Sequence, residues 1–153
     1  MSLSQIPVAA VLGHPVSHSK SPRLHNFWLS KFGVNGFYIP LDIDPINFEK
    51  HIRSLPRLGF VGANVTIPYK EKILKVADKI SDRAAIIGAA NTLTFLSDGK
   101  IYADNTDGYG FIQNIKSQYK DWTAKDGMSV VFGAGGASRA ILGALIEDGA
   151  NEI

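Results

Sequence analysis

The sequence predicts an α/β protein: a mixed, mainly parallel sheet flanked by helices, followed by the opening strand, loop and helix of a second α/β unit. Three observations predict it. Short apolar runs alternate with segments of helical spacing, the pattern of parallel strands joined by crossover helices. Two extended runs around Asp98-Gly99 interrupt that rhythm with a hairpin. Beyond a polar stretch, a glycine-rich loop stands between a further apolar run and a further helical pattern.

Val8 to Gly13 is nearly all apolar and reads as a strand buried on both faces. After the loop "HPVSHSKS", Ser21 reads as a helix cap with Pro22 at the first helical position. Leu24, Phe27, Trp28 and Phe32 then form one helical stripe, expected in the core rather than as a stacking platform, and Gly33 ends the helix. "GFYIPLDI" is the second strand. Asp44 and Pro45 repeat the cap-and-proline device ahead of a helix that buries Phe48, Ile52 and Leu55. Gly59 to Ile67 is the third strand, and Pro68 is expected to open a third helix with Ile73, Leu74, Ala77 and Ile80 facing the core. From Ala89, "NTLTFL" and "KIYAD" form the hairpin, and a helix from about Asp107 to Tyr119 follows. "KDWTAKDG" is the candidate boundary. Residues 1–106 are therefore expected to form one domain, 107–126 a connecting helix and linker, and 127–153 the beginning of a second domain with "MSVVF" as its first strand.

Composition narrows the function classes. Hydrophobic content of 45% and charged content of 20% are those of an ordinary globular chain of 153 residues. A formal net charge of +2, with no clustered basic face, leaves no expectation of a nucleic-acid or membrane partner. The chain has no cysteine, which fits a reducing cytoplasm and removes thiol chemistry and thiolate metal sites. The start "MSLSQIPVAAVLGHPVSHSKS" lacks the basic opening of a signal peptide, and no run approaches the ~18 apolar residues of a membrane span. His14, His18, His25 and His51 lie on loops and on separate helices, so no metal site is expected.

Two features carry chemistry. In "GAGGAS", Gly133 permits a tight strand-to-helix turn and Gly135 lets backbone approach a pyrophosphate at the helix start; Ser138 replaces the third glycine of the usual spacing. The residue that would separate NAD from NADP belongs ~20 residues further on, past Ile153, so the dinucleotide unit is begun and not completed and the chain is expected to be part of a longer protein. The second feature is Lys70 in "NVTIPYKEK". A lysine on the first turn of a helix is electrostatically misplaced, because helix starts favour anions; that disfavours its ammonium form and suits it to proton transfer. Asp107 in "YADNTDGYG" is its candidate partner, although a solvated lysine and a capping aspartate are the ordinary alternatives.

In order and interval, "GHPVSHSKSPRLHN", "GANVTIPYKE", "GAANTL", "DNTDGYGF" and "GAGGASRA" closely resemble the motifs of the shikimate dehydrogenase family, NADP-dependent oxidoreductases of aromatic amino-acid biosynthesis. The resemblance runs from about Val8 to the end of the chain. It implies reversible reduction of 3-dehydroshikimate to shikimate, with Lys70 and Asp107 as the catalytic pair. It also implies that Ser17 and Ser19 bind the shikimate carboxylate, that Asn64, Thr66 and Asn91 bind its ring hydroxyls, and that Gly133, Ala134, Gly135, Gly136 and Ala137 hold NADP in a Rossmann-type unit. Which of Lys70 and Asp107 donates the proton stays open. Family members carry further substrate contacts on a returning C-terminal segment; without it this chain alone is expected to be inactive and to expose apolar surface that favours self-association, a homodimer being the candidate assembly. A quinate/shikimate dehydrogenase and a non-catalytic shikimate-binding module are the alternatives.

Overall fold

A computed structural model describes residues 6–153 and sets six strands in one sheet. The strands are β1 (Val8–Gly13), β2 (Phe37–Asp42), β3 (Phe60–Val65), β4 (Lys79–Ile80), β5 (Thr92–Phe95) and β6 (Ile101–Asp104), in the spatial order β2-β1-β3-β5-β6-β4. β1 pairs parallel with β2 and β3, and β4 pairs parallel with β6. β5 runs antiparallel to both β3 and β6, so one reversed strand makes the sheet mixed. The helices are α1 (Ser21–Lys31), α2 (Phe48–Ser54), α3 (Asp82–Ile87), α4 (Asp107–Gln118) and α5 (Gly136–Glu147).

Alternation along the strands decides which face is sealed. Ala10, Leu12, Ala63, Val65, Leu93 and Ala103 meet Phe48, Ile52 and Leu55 from the α2 region and Tyr69, Ile73 and Val76 from the segment after β3, giving one main core. Tyr69 is fully buried, stacks on Phe48 with ring centroids 4.2 Å apart, and donates its hydroxyl proton to the Ile43 carbonyl. The opposite face carries Val11, Val16 and Tyr38 packed with Leu29 of α1. A second cluster joins Ile112 of α4 to Ala144 and Leu145 of α5, with Ala124 between them in the chain.

The capping signals around α1 and α2 differ in outcome. Asp44 accepts from the Ile46 N–H at 2.7 Å as expected, but it starts a 3-10 turn (Pro45–Asn47) that leads into α2. Ser21 is the first residue of α1 rather than its cap; the cap position is Lys20, and the Ser19 hydroxyl accepts from the Ser21 N–H at 3.3 Å. Gly33 does close the helix, with φ 64°.

Three further expectations fail for identifiable reasons. Leu24, Phe27, Trp28 and Phe32 are not core: Phe27 is 60% and Phe32 71% exposed, and α1 contains no buried residue. The helix stands over β1 and β2, so its stripe borders an apolar groove of about 620 Å³ over Val61, Gly62 and Thr94 instead of meeting a second layer. Pro68 does not open an α-helix either. Pro68, Lys70 and Glu71 lie in turns ahead of a 3-10 turn (Lys72–Lys75), and Ile80 lies in β4. The Lys70 carbonyl, which an α-helix would bond to the Leu74 N–H, accepts instead from the Ala90 N–H at 2.8 Å, and the Leu74 N–H turns to the Glu71 carbonyl in 3-10 fashion. Asp78 fixes the far end, since its N–H donates to the Ile101 carbonyl and its side chain accepts from the Ile101 N–H, both at 2.9 Å.

Third, "MSVVF" forms no strand. A strand needs a ladder, and the Ser129 N–H donating to the Glu152 carbonyl is a single rung. Phe132 is accordingly 93% exposed. Helix α3 went unpredicted, although Ser81 caps it by accepting from the Ala84 N–H at 3.1 Å and Gly88 ends it with φ 71°.

Candidate active site

The reversed strand decides where the site forms. Because β5 opposes its neighbours, its first residues lie at the edge where β1, β3 and β6 end. The loop after β1, the loop after β3, Asn91 and Asp107 therefore meet at one edge of the sheet, the usual place for ligands in open α/β sheets. Lys70 Nζ and the Asp107 carboxylate, 37 positions apart, stand at 2.5 Å, and both side chains are less than one-third exposed.

Lys70 does not stand on a helix of its own, so the electrostatic argument from its local sequence loses its basis. A helix start reaches it through space instead. A Cβ built on Gly136, the first residue of α5, would lie 3.4 Å from Lys70 Cβ and 3.0 Å from Ala89 Cβ, so the glycine loop packs directly on the lysine stem. Arg139 of α5 faces Glu71 at 3.6 Å, a solvent-exposed pair across the same junction.

Asn91 fixes the carboxylate. Its Nδ2 donates to Asp107 Oδ1 at 2.6 Å, while its Oδ1 accepts from the Thr106 N–H at 3.0 Å and from the Thr92 hydroxyl at 2.8 Å. With donors crowding the oxygen, the amide has one orientation, NH2 toward Asp107. Asn105 is buried; its Nδ2 donates to the Ala89 carbonyl and its Oδ1 accepts from the Asp107 N–H at 3.0 Å. Asn64 Nδ2 donates to the Asn91 carbonyl at 3.2 Å, and Asn64 Oδ1 accepts from the Tyr38 hydroxyl at 2.6 Å. Asn64, Asn91, Asp107 and Lys70 thus form one connected polar network.

Among the described residues no hydrogen bond joins Ser17 or Ser19 to this network. Their loop is tied to the loop after β3 by the His14 N–H donating to the Ile67 carbonyl at 3.1 Å. Asp42, at the end of β2, holds the same loop through His14 Nδ1 at 2.5 Å and the Val16 N–H at 3.3 Å. These bonds hold the Asp42 carboxyl below the ordinary carboxylate range. Thr66 lines a cleft of about 290 Å³ with Lys70, Gly135, Gly136 and Ala137. In the glycine loop Gly133 has φ 128°, and a Cβ there would meet Ser138 Oγ at 2.7 Å, whereas the Cβ direction of Gly135 is open. Ala134 and Ala137 are exposed.

Tyr38, Thr92, Thr106, Asn105 and Asp42 were missed by the sequence reading as site residues. Thr106 and Asn105 lie inside the quoted "DNTDGYGF", so only the strand order, which no local pattern encodes, was needed to see what they hold.

A separate ion pair anchors the end of β6. Asp104 accepts from Arg83 and from Ser81 Oγ at 2.6 Å, and these partners lower its pKa to about 2. A depressed carboxyl contributes stability that is present in full above its unfolded value and lost as pH falls through the folded one. Asp104→Asn is thus expected to remove stability at pH 7 and to flatten the acid limb between the unfolded 3.8 and about 2. Urea unfolding at several pH values reads this; parallel acid limbs in both proteins would refute it.

The fold and the site together define an α/β domain with a polar cleft where its strands end, closed on one side by a glycine-loop helix. The family described as the shikimate dehydrogenase substrate binding domain matches residues 11–93, and the chain belongs to that family. A shikimate dehydrogenase (NADP(+)) of Roseobacter denitrificans is 56% identical over 153 residues, all of this chain and 55% of that protein. One of a Ruegeria species is likewise 56% identical, with the same coverage. The crystal structure of shikimate dehydrogenase from Aquifex aeolicus superposes with a TM-score of 0.89 at 39% identity, covering 98% of this chain and 55% of that one. The Thermus thermophilus enzyme, crystallised with NADP(H) and shikimate, gives 0.88 at 37% identity, covering 96% of this chain and 54% of that one. The chain spans about half the length of the curated relatives it matches.

Proposed function

We propose that this chain supplies the substrate-binding and proton-transferring half of an NADP-dependent shikimate dehydrogenase, which interconverts 3-dehydroshikimate and shikimate. One observation carries the reading: the Lys70–Asp107 pair, oriented by Asn91, stands at the sheet edge against the glycine-loop helix. Residues 1–106 are read as the substrate unit, 107–126 as the connection and 127–153 as the start of the nucleotide unit.

On this reading Asn64, Thr66 and Asn91 take the ring hydroxyls of shikimate, and Ser17 and Ser19 take its carboxylate. A small polyol acid is oriented by convergent neutral donors and acceptors of this kind. Lys70 and Asp107 bracket the reacting oxygen and pass its proton in either direction, the ammonium stabilising alkoxide character as it develops. The glycine loop suits a pyrophosphate, because the open side at Gly135 admits close backbone approach at a helix start. Gly133, Ala134, Gly135, Gly136 and Ala137 would hold NADP, whose nicotinamide supplies the hydride chemistry. The reading includes a cytoplasmic setting, no nucleic-acid or membrane partner, and self-association through the uncovered sheet face. Among the described residues no helix is long and apolar enough to cross a membrane.

Calorimetric titration of the chain with shikimate tests the substrate unit. Saturable binding is expected, together with its loss in a Ser17→Ala, Thr66→Ala double variant. Equal binding by the variant would remove these residues from the pocket, and no binding by the unaltered chain would overturn the assignment. NADPH is expected to bind this length of chain weakly.

A further inference from the structure

Tyr38 is absent from the proposed set of ligand contacts, yet three elements converge on it. It lies in β2, an edge strand, where its backbone is free on the side away from β1. Asn26 of α1 occupies that side with its amide: Nδ2 donates to the Tyr38 carbonyl at 2.7 Å, and Oδ1 accepts from the Tyr38 N–H at 2.9 Å. The neighbouring His25 stacks flat on the phenol ring, with centroids 4.1 Å apart and planes 7° from parallel. Backbone and ring are therefore both held by consecutive residues of one helix.

The hydroxyl of the ring so held points at Asn64. An asparagine amide can be turned end for end, and only its partners decide which end is oxygen. Here both ends are decided. The Asn91 carbonyl can only accept, so it requires Asn64 Nδ2, and the Tyr38 hydroxyl then donates to Oδ1 at 2.6 Å. Burial pushes the phenol up to about 12, so the donor keeps its proton throughout the neutral range. One lone pair of Oδ1 is left for a ligand hydroxyl.

We propose that Tyr38, gripped by His25 and Asn26, is a positioning residue that holds the Asn64 amide, whose ends the Asn91 carbonyl assigns, with its oxygen presented to a substrate hydroxyl. The consequence for recognition follows from donor–acceptor chemistry. A site so arranged selects a hydroxyl that donates at that position and disfavours a ligand presenting only an acceptor there. This inference rests on the reading that Asn64 contacts the polyol; the role of Tyr38 toward Asn64 itself does not.

Tyr38→Phe removes the hydroxyl and keeps the ring that His25 covers. Two measurements on the 153-residue chain separate the claims. In two-dimensional NMR, the Asn64 side-chain NH2 resonances are expected to shift and exchange faster with solvent in Tyr38→Phe, while the thermal midpoint changes little. Unchanged Asn64 resonances would overturn the positioning role, whether or not shikimate binds. In calorimetry, Tyr38→Phe is expected to weaken shikimate roughly fivefold to tenfold. Adding Tyr38→Phe to Asn64→Ala is expected to cost nothing more, because the hydroxyl acts through the amide. Additive losses would overturn the proposal. Failure of the unaltered chain to bind would sink the substrate assignment and leave the NMR result to decide Tyr38.

Discussion

Replacing Lys70 with alanine is expected to lower shikimate turnover by roughly 10²–10⁴-fold, the usual contribution of a positioned proton-transfer group. The assay is nicotinamide absorbance, in a chimera that joins this chain to the C-terminal remainder of the Roseobacter denitrificans relative, 56% identical over the shared length. The loss is expected mainly in kcat. On the proposed reading a hydroxyl in the ground state is still held by Asn64 and Asn91, whereas the charge that develops on the reacting oxygen loses the ammonium. The fold is expected to tolerate the change, because Asp107 keeps the Asn91 amide at 2.6 Å and remains partly exposed to water. Turnover within tenfold of the parent chimera, with intact folding, would end the assignment of Lys70 to proton transfer.

The second large effect is on stability and comes from a glycine. Gly108 is buried at the start of α4, directly after Asp107. A Cβ there would meet the Ala140 carbonyl oxygen at 2.5 Å and Ala144 Cβ at 2.9 Å, both on α5 and both below any ordinary contact. Neither neighbour is a flexible side-chain end, so α4 and α5 must move apart. Gly108→Ala is expected to destabilise the chain by about 1–3 kcal/mol, the usual range for overpacking, visible as a fall in thermal midpoint of several degrees. The intrinsic helical preference of alanine over glycine, up to about 1 kcal/mol, works in the opposite direction. An unchanged or raised midpoint would show that the two helices are not in the contact described.

Much of the substrate unit was legible in the sequence because its cues are local. The buried run of β1, the cap at Asp44, the stripe of Phe48, Ile52 and Leu55, and the Asp98-Gly99 turn each state their conformation within a few residues. The pairing of Lys70 with Asp107 was legible for a different reason. Strand-end loops of an α/β sheet gather at one edge, so residues in two such loops are candidates to meet. What failed depended on what lies across from a segment. The helical spacing of Phe27, Trp28 and Phe32 is real, but spacing cannot say whether a second layer exists to cover the stripe. "MSVVF" has strand composition without a ladder. The stretch after Pro68 has an apolar rhythm, but its Lys70 carbonyl is taken by the Ala90 N–H from a distant part of the chain. Tyr38 could not be read as part of the site without knowing that β2 borders β1, that β1 borders β3, and that α1 lies over that edge.

The hairpin of β5 and β6 places its turn at the opposite end of the sheet from Asn91 and Asp107. Gly99 there has φ 80° with open space around it, and Ser97 beside it is exposed. Since the chain contains no cysteine, a thiol introduced as Ser97→Cys would be its one reactive sulfur. A dye coupled to it would ride on the same two strands that carry the cleft residues, up to about 20 Å from Asn91 along the strand at ~3.4 Å per residue. That turn is the natural handle for a fluorescent reporter or for immobilising the protein with its cleft facing outward.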